Sequence, residues 1–273
     1  MTPRRPVLRY HGGKWKLAPW IISNFPPHRV YIEPYGGGGS VLIRKPRSYA
    51  EVYNDLDGEI VNVFRVLRDP SQARELERLL RLTPFARSEF ETSYITDGDP
   101  LEQARRTITR SFMGFGSGAA SGHQTGFRSN SNRSGTTPAH DWANYPGLIV
   151  EFSKRLQGVV IECKDALALM LQHDGKNTLH YVDPPYIHGT RMIKGHYDQV
   201  YRHEMTDDQH REMADLLKSL KGNVIISGYP SELYDNDLFA DWQHVETGAH
   251  ADGALDRIER LWISPNTQNV RLF

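Results

Sequence analysis

Thr178-Leu179-His180-Tyr181-Val182-Asp183-Pro184-Pro185-Tyr186 is the stretch on which the fold turns. Its first five residues are rich in β-formers and bounded by polar positions, so they read as a buried strand ending at Asp183. The strand cannot continue, because Pro184 and Pro185 lack an N–H and fix φ, and Pro184 also restricts the residue before it. A carboxylate, carbonyl groups and an aromatic ring therefore collect at the carboxyl end of a strand, where open α/β sheets bind their ligands. Asp183 and the adjacent carbonyl of Pro184 suit the two hydrogens of an exocyclic NH2 group, and Tyr186 suits the flat ring that carries it. The stretch reads as a holder for an aminated, planar base. The plainer reading is a rigid strand-to-loop exit, and the rest of the chain has to decide.

Upstream, residues 30–33 form the first convincing strand, and Pro34-Tyr35-Gly36-Gly37-Gly38-Gly39-Ser40 follows it directly. Four glycines without a Cβ let backbone approach a ligand closely before a short helix over 40–44. The spacing is not a dinucleotide fingerprint, since the position three after Gly38 is Val41. A second strand is expected over 48–53, ending at Asn54-Asp55-Leu56-Asp57. An acid about 20 residues past such a loop accepts from ribose hydroxyls, the role favoured for Asp55. Its alternative is helix capping, favoured for Asp57, ahead of a helix over 59–68 with Ile60, Val63, Phe64 and Leu67 as its stripe. Before all of this, residues 7–14 form an apolar and basic run that turns at Gly12-Gly13 and presents Lys14, or merely turns; a helix follows over 15–24.

Residues 70–110 are helical in pattern, with Pro70 and Pro84 at first-turn positions, and Pro100 opens a helix to about residue 112. From 113 to 138 the composition turns to Gly, Ser, Asn, Thr and Ala, with Phe115, Phe127, Arg128 and Arg133 interspersed. That is a flexible loop or poor hairpin, suited either to nucleic-acid contact or to a disordered surface insertion. A helix is expected over 148–156 and a third strand over 159–163, closed by Asp165. After the opening stretch come a polar segment with His188, His196 and His203, a helix over 206–220, and strands over 223–227, 242–247 and 261–263. These histidines lack close ligand spacing, so no metal is expected.

At 273 residues the chain can bury a substantial core. Lys plus Arg equals Asp plus Glu at 33 each, so any nucleic-acid surface must come from local segregation of charge. The first twenty residues carry Arg4, Arg5, Arg9, Lys14 and Lys16 and no acid, and residues 101–160 hold seven basic against three acidic side chains. The single cysteine, Cys163, excludes an internal disulfide and a multi-thiolate metal site. No apolar run approaches the roughly 18 residues that span a bilayer, and no signal-type apolar core follows the N-terminus; the expected place is the cytoplasm, without a membrane partner.

In order and spacing, Leu8 to Lys14, Ile32 to Ser40, Asn54 to Asp57, Cys163 to Asp165 and Asp183 to Tyr186 resemble the Dam-like family of adenine-specific DNA methyltransferases, over about 180 residues. Weaker similarity continues at 224–227 and 259–263. The resemblance implies an α/β fold: a Rossmann-like, seven-stranded methyltransferase sheet with helices on both faces and an inserted, mostly helical target-recognition region with a polar loop. Residues 1–68 and 158–273 would form the catalytic part that binds S-adenosylmethionine, and 69–157 the insertion. Tyr10 and Lys14 would line the cofactor pocket; Glu33, Pro34 and the loop of Gly36 and Gly38 would hold the methionine portion, Asp55 the ribose and Asp165 the adenine amine. Asp183, Pro184, Pro185 and Tyr186 would be catalytic, with Asp183 also beside the cofactor, and Arg110, Arg128 and Arg133 would meet double-stranded DNA. Family members often have Trp at Tyr10, Phe at Tyr35 and an Asn-Gly element near residues 111–114.

The expected reaction is methylation of an adenine amine after the base is rotated out of the duplex. The same chemistry would serve a cytosine amine or RNA. A catalytically silent nucleic-acid-binding protein of this fold and a dinucleotide-dependent dehydrogenase are the other readings, the last disfavoured by the glycine spacing and by having no use for the double proline.

Overall fold

The computed structural model describes residues 3–96, 98–132, 135–187, 202–250 and 256–268. Arg133, His188 and His196 lie outside them. In chain order the elements are α1 (Ala18–Ser23), β1 (Val30–Glu33), α2 (Ser40–Arg44), β2 (Ala50–Asn54), α3 (Gly58–Arg68), α4 (Pro70–Leu82), α5 (Arg87–Thr92) and α6 (Pro100–Met113). They continue with α7 (Pro138–Asn144), α8 (Ile149–Leu156), β3 (Val159–Glu162), α9 (Ala166–His173), β4 (Thr178–Val182), α10 (Asp207–Ser219), β5 (Asn223–Gly228), β6 (Gln243–His250), β7 (Asp256–Ile263) and α11 (Pro265–Gln268).

Seven strands make one sheet in the order β3-β2-β1-β4-β5-β7-β6. The first five are parallel and β7 runs antiparallel to both its neighbours. The interior strands β4 and β5 are buried at every residue, the polar Thr178, His180, Asn223 and Ser227 included, because both faces of the sheet's centre are covered. Strand order reverses between β1 and β4, with Ile32 opposite His180. A crevice must open there beyond the strand ends, because the connections from the two strands leave on opposite sides.

The helices of 69–157 do not form a core of their own. Ala104, Ile108 and Phe112 of α6 and Ile149, Phe152 and Leu156 of α8 join one apolar cluster with Val63 and Phe64 of α3 and with Tyr31, Tyr53 and Tyr181 of the sheet. A second cluster gathers Met213 and Leu217 of α10 with Val224, Ile226 and Trp262. A buried ion triad fixes α8 to the sheet: Glu51 of β2 accepts from Lys45 Nζ at 2.6 Å and from Arg155 Nη1 at 2.7 Å, while Arg155 Nη2 donates to the Leu42 carbonyl at 2.6 Å.

Several boundaries differ from expectation for local reasons. β2 starts at Ala50, since the Ser48 N–H is taken by the Glu51 carboxylate. Pro84 starts no helix; α5 begins at Arg87. Strands β6 and β7 run to eight residues each, because cross-strand pairs such as Glu246 and Arg260 make a polar edge hairpin whose apolar alternation is weak. Helix α9, unexpected from sequence, is capped by Asp165. Within 113–138 an antiparallel bridge joins Gly114 and Phe127, and Phe127 packs 5.1 Å from Phe85 and 5.8 Å from Phe90, ring centre to ring centre. Among the described residues no helix is long and apolar enough to cross a membrane.

Candidate active site

At the reversal of strand order lies a cavity whose walls come from the N-terminal loop, the glycine loop and the ends of β2, β3 and β4. Tyr10, Lys14, Glu33, Pro34, Gly36, Gly38, Asp55, Asp165 and Asp183 all line it, so the residues expected at a cofactor converge on one space. Of the proline loop, Asp183 and Pro185 face the cavity, while Pro184 and Tyr186 lie behind its surface.

The glycine loop is held by aromatic rings. A Cβ on Gly36 would fall 2.2 Å from Tyr53 Cε2, and one on Gly39, whose φ is +60°, would fall 2.8 Å from Phe64 Cζ. The missing third glycine of a dinucleotide motif is thus no loss, since these glycines serve close packing onto stacked Tyr53 and Phe64. Tyr53 donates to the Gly37 carbonyl at 2.6 Å, and the Gly37 N–H donates to Asp55 at 2.8 Å.

Capping and cavity-facing roles coincide for the acids. Asp57 caps α3 by accepting from the Glu59 N–H at 3.0 Å. Asp165 caps α9, accepting from the Ala168 N–H at 2.8 Å, and still faces the cavity. Asp55 is held by the N–H groups of Gly37 and Asp57, and burial raises its carboxyl above the usual range against those two bonds. Glu33 accepts from the Tyr31 hydroxyl at 2.7 Å and the Leu42 N–H at 2.9 Å, yet burial, with the Asp183 charge nearby, pushes it up to about 8.

Asp183 sits 3.0 Å from Lys14 Nζ. That ammonium also donates to the Gly12 carbonyl at 2.8 Å, stands 4.6 Å above the centre of the Tyr186 ring and lies 3.8 Å from Glu259. Burial raises the Asp183 carboxyl to about 6; Lys14 opposes the rise and Glu259 adds to it. Tyr186 is buried, its hydroxyl donating to Glu259 at 2.5 Å and its ring set edge-on to Tyr229. Glu259 has no local signature, because the groups it meets, Lys14, Tyr186 and Ser227, are far from it in sequence. Nor do Arg202, His203, Glu204, Met205, Gln209 and Glu212, which complete the cavity wall.

The arginines expected at DNA divide. Arg110 is a correction: it is 2 % exposed, its guanidinium donates to the carbonyls of Ala119, Ser93 and Ala120, and it pairs with Glu59. A cation so enclosed holds α6 to α3 and has no face for a phosphate. Arg128 is half-buried on the hairpin-like turn, its backbone N–H on the Met113 carbonyl. Arg133 lies outside the described residues.

A reversed parallel sheet, a glycine loop after its first strand and an acid-Pro-Pro-Tyr loop after its fourth define a methyltransferase-type α/β protein. The family described as D12 class N6 adenine-specific DNA methyltransferase matches residues 10–250, and the chain belongs to that family. Among curated proteins it is similar to the type II methyltransferase M1.LlaDCHI of Lactococcus lactis subsp. cremoris, 35% identical over 74 residues, 26% of each chain. It is also similar to the type II methyltransferase M.MjaIII of Methanocaldococcus jannaschii, 26% identical over 95 residues, 32% of this chain and 31% of that one. The matched segment thus spans between a quarter and a third of these relatives' length.

Proposed function

We propose that the protein transfers the methyl group of S-adenosylmethionine to the exocyclic amine of adenine in double-stranded DNA, with residues 69–157 contributing target recognition. The observation that carries this reading is the shared cavity: the Asp183 carboxylate opens into the space enclosed by the glycine loop. The lining suits that cofactor. Seven acids (Glu33, Asp55, Asp57, Asp165, Asp183, Glu204 and Glu212) face two fixed cations (Lys14 and Arg202), which favours a ligand bearing ammonium, hydroxyl and sulfonium groups over one bearing phosphates. Asp55 would accept from the ribose, Asp165 from the cofactor's adenine amine, and Glu33 with the glycine loop would hold the methionine end.

Bound S-adenosylmethionine supplies a methyl on positive sulfur, which keeps the bonding pair as the amine nitrogen takes the carbon. The target base has to leave the duplex first, at about a few kcal/mol of unstacking. Asp183 then accepts from its NH2 group, turning the nitrogen lone pair toward the methyl, and is also the adjacent acceptor for the proton the nitrogen sheds. Tyr186, buried behind the cavity surface, keeps its ring under the Lys14 ammonium that pairs with Asp183. Acceleration comes from holding two reactants in attack geometry, with no covalent intermediate on the protein. The DNA substrate and the lone thiol of Cys163 suit a reducing cytoplasm.

Incubation of adenine-methylation-free plasmid with tritiated S-adenosylmethionine, followed by nucleoside analysis, is expected to place the label in N6-methyladenine; label in a cytosine product or in RNA alone would refute the reading. The acceptor must be the carboxylate. With Asp183 at about 6, the single-turnover rate should be flat above that pH and fall about tenfold per unit below it. A profile level down to the ordinary aspartate range would contradict this.

A further inference from the structure

We propose that Glu259 is a positioning residue for the reaction at Asp183: it shares the Lys14 ammonium and anchors the Tyr186 hydroxyl, so that Asp183 stays a strong acceptor and not half of a closed ion pair. The proposal rests on the amine-methylation reading above.

Glu259 lies on β7, 2 % exposed, and does not line the cavity, so it reaches a ligand only through other side chains. One of its oxygens accepts from Tyr186 at 2.5 Å and from Ser227 at 2.6 Å, and stands 3.8 Å from Lys14 Nζ. Asp183 is 3.0 Å from the same ammonium. One cation is therefore divided between two carboxylates. A buried ammonium paired with Asp183 alone would neutralise it and weaken its acceptance of an N–H. The second carboxylate withdraws part of that charge and keeps Asp183 basic enough to respond as the amine nitrogen turns positive. The other groups facing Asp183 are Glu33 from β1, Tyr181 from β4 and Tyr186 from its own loop, with Tyr229 and Tyr234 beyond β5; Lys14 is the cation of the set. The Tyr186 hydroxyl bond fixes the ring beneath that ammonium, which sets where Lys14 can stand.

Glu259→Gln separates these parts, since an amide oxygen still accepts from both hydroxyls while the charge is gone. In single turnovers with saturating S-adenosylmethionine and adenine-methylation-free plasmid, the acidic limb should move at least about half a pH unit lower, and the plateau rate should fall about fivefold or more. KM for either substrate should stay within about twofold of wild type. Ser227→Ala removes a bond to Glu259 but no charge, and should leave the limb in place. If Glu259→Gln does not fold, Glu259→Asp, with the charge one methylene further away, should shift the limb the same way by less. An unmoved limb in the folded variant, or a loss confined to KM, overturns the role of Glu259 and leaves the amine-methylation reading standing. A wild-type protein that transfers no methyl to DNA overturns both.

Discussion

Asp183→Ala is expected to lower the single-turnover rate of methyl transfer by about a thousandfold or more, because on the proposed mechanism the variant loses the acceptor that orients the amine and takes its proton. Binding should survive. Lys14 keeps the Gly12 carbonyl at 2.8 Å and Glu259 at 3.8 Å, so the cation left behind still has partners. Asp55, Asp165 and the glycine loop, expected to hold the cofactor, are untouched. Calorimetric affinity for S-adenosylmethionine should change by less than about tenfold, the pattern of an interaction made mainly in the transition state. A variant that turns over at near the wild-type rate would remove Asp183 from the mechanism.

The largest effect on stability should come from Glu51→Ala. Lys45 Nζ and the Arg155 guanidinium meet on this carboxylate in a site where all three side chains are buried. Taking away the anion leaves two enclosed cations facing each other, a loss of about 3–5 kcal/mol in urea denaturation. Replacing Lys45, Glu51 and Arg155 together by apolar residues of similar size should recover most of it, since the buried charges then vanish with their partners. For comparison, Glu75→Ala, which breaks an exposed pair with Arg78, should leave the urea midpoint where it is. Burial pushes the Glu51 carboxyl up, but Arg155 and Lys45 outweigh it and hold it below the usual range. The triad's contribution is therefore complete above the ordinary glutamate pKa and is lost as pH falls through the lowered one. Equal stability of Glu51→Ala and wild type would show that α8 is held by its apolar face alone.

The triad and the Lys14 site mark the line between what could and could not be read from residue order. The strands at 30–33 and 178–182, the glycine loop, the double proline and the capping Asp57 obey local rules: runs of β-formers, fixed φ, missing Cβ atoms and a side chain that meets N–H groups two or three residues on. The family resemblance added which of these neighbours meet in space, and Tyr10, Glu33, Asp55, Asp165 and Asp183 do line one cavity. Arg110 shows the limit. An arginine near the end of an amphipathic helix next to a polar loop looks solvent-facing, but the turn at Gly118–Ser121 folds back over it and supplies two of its carbonyl acceptors.

The sequence by itself determined where the backbone must stop, turn or tolerate close approach, and hence the order of strand ends that carry carboxylates. Only the tertiary structure decided which charges face one another. Lys14 meets Asp183 and Glu259 across separations of 169 and 245 residues, and Arg202 meets Asp57 across 145. Such pairs leave no periodicity behind, because they are fixed by the order in which strands assemble and by the need of a buried charge for a partner.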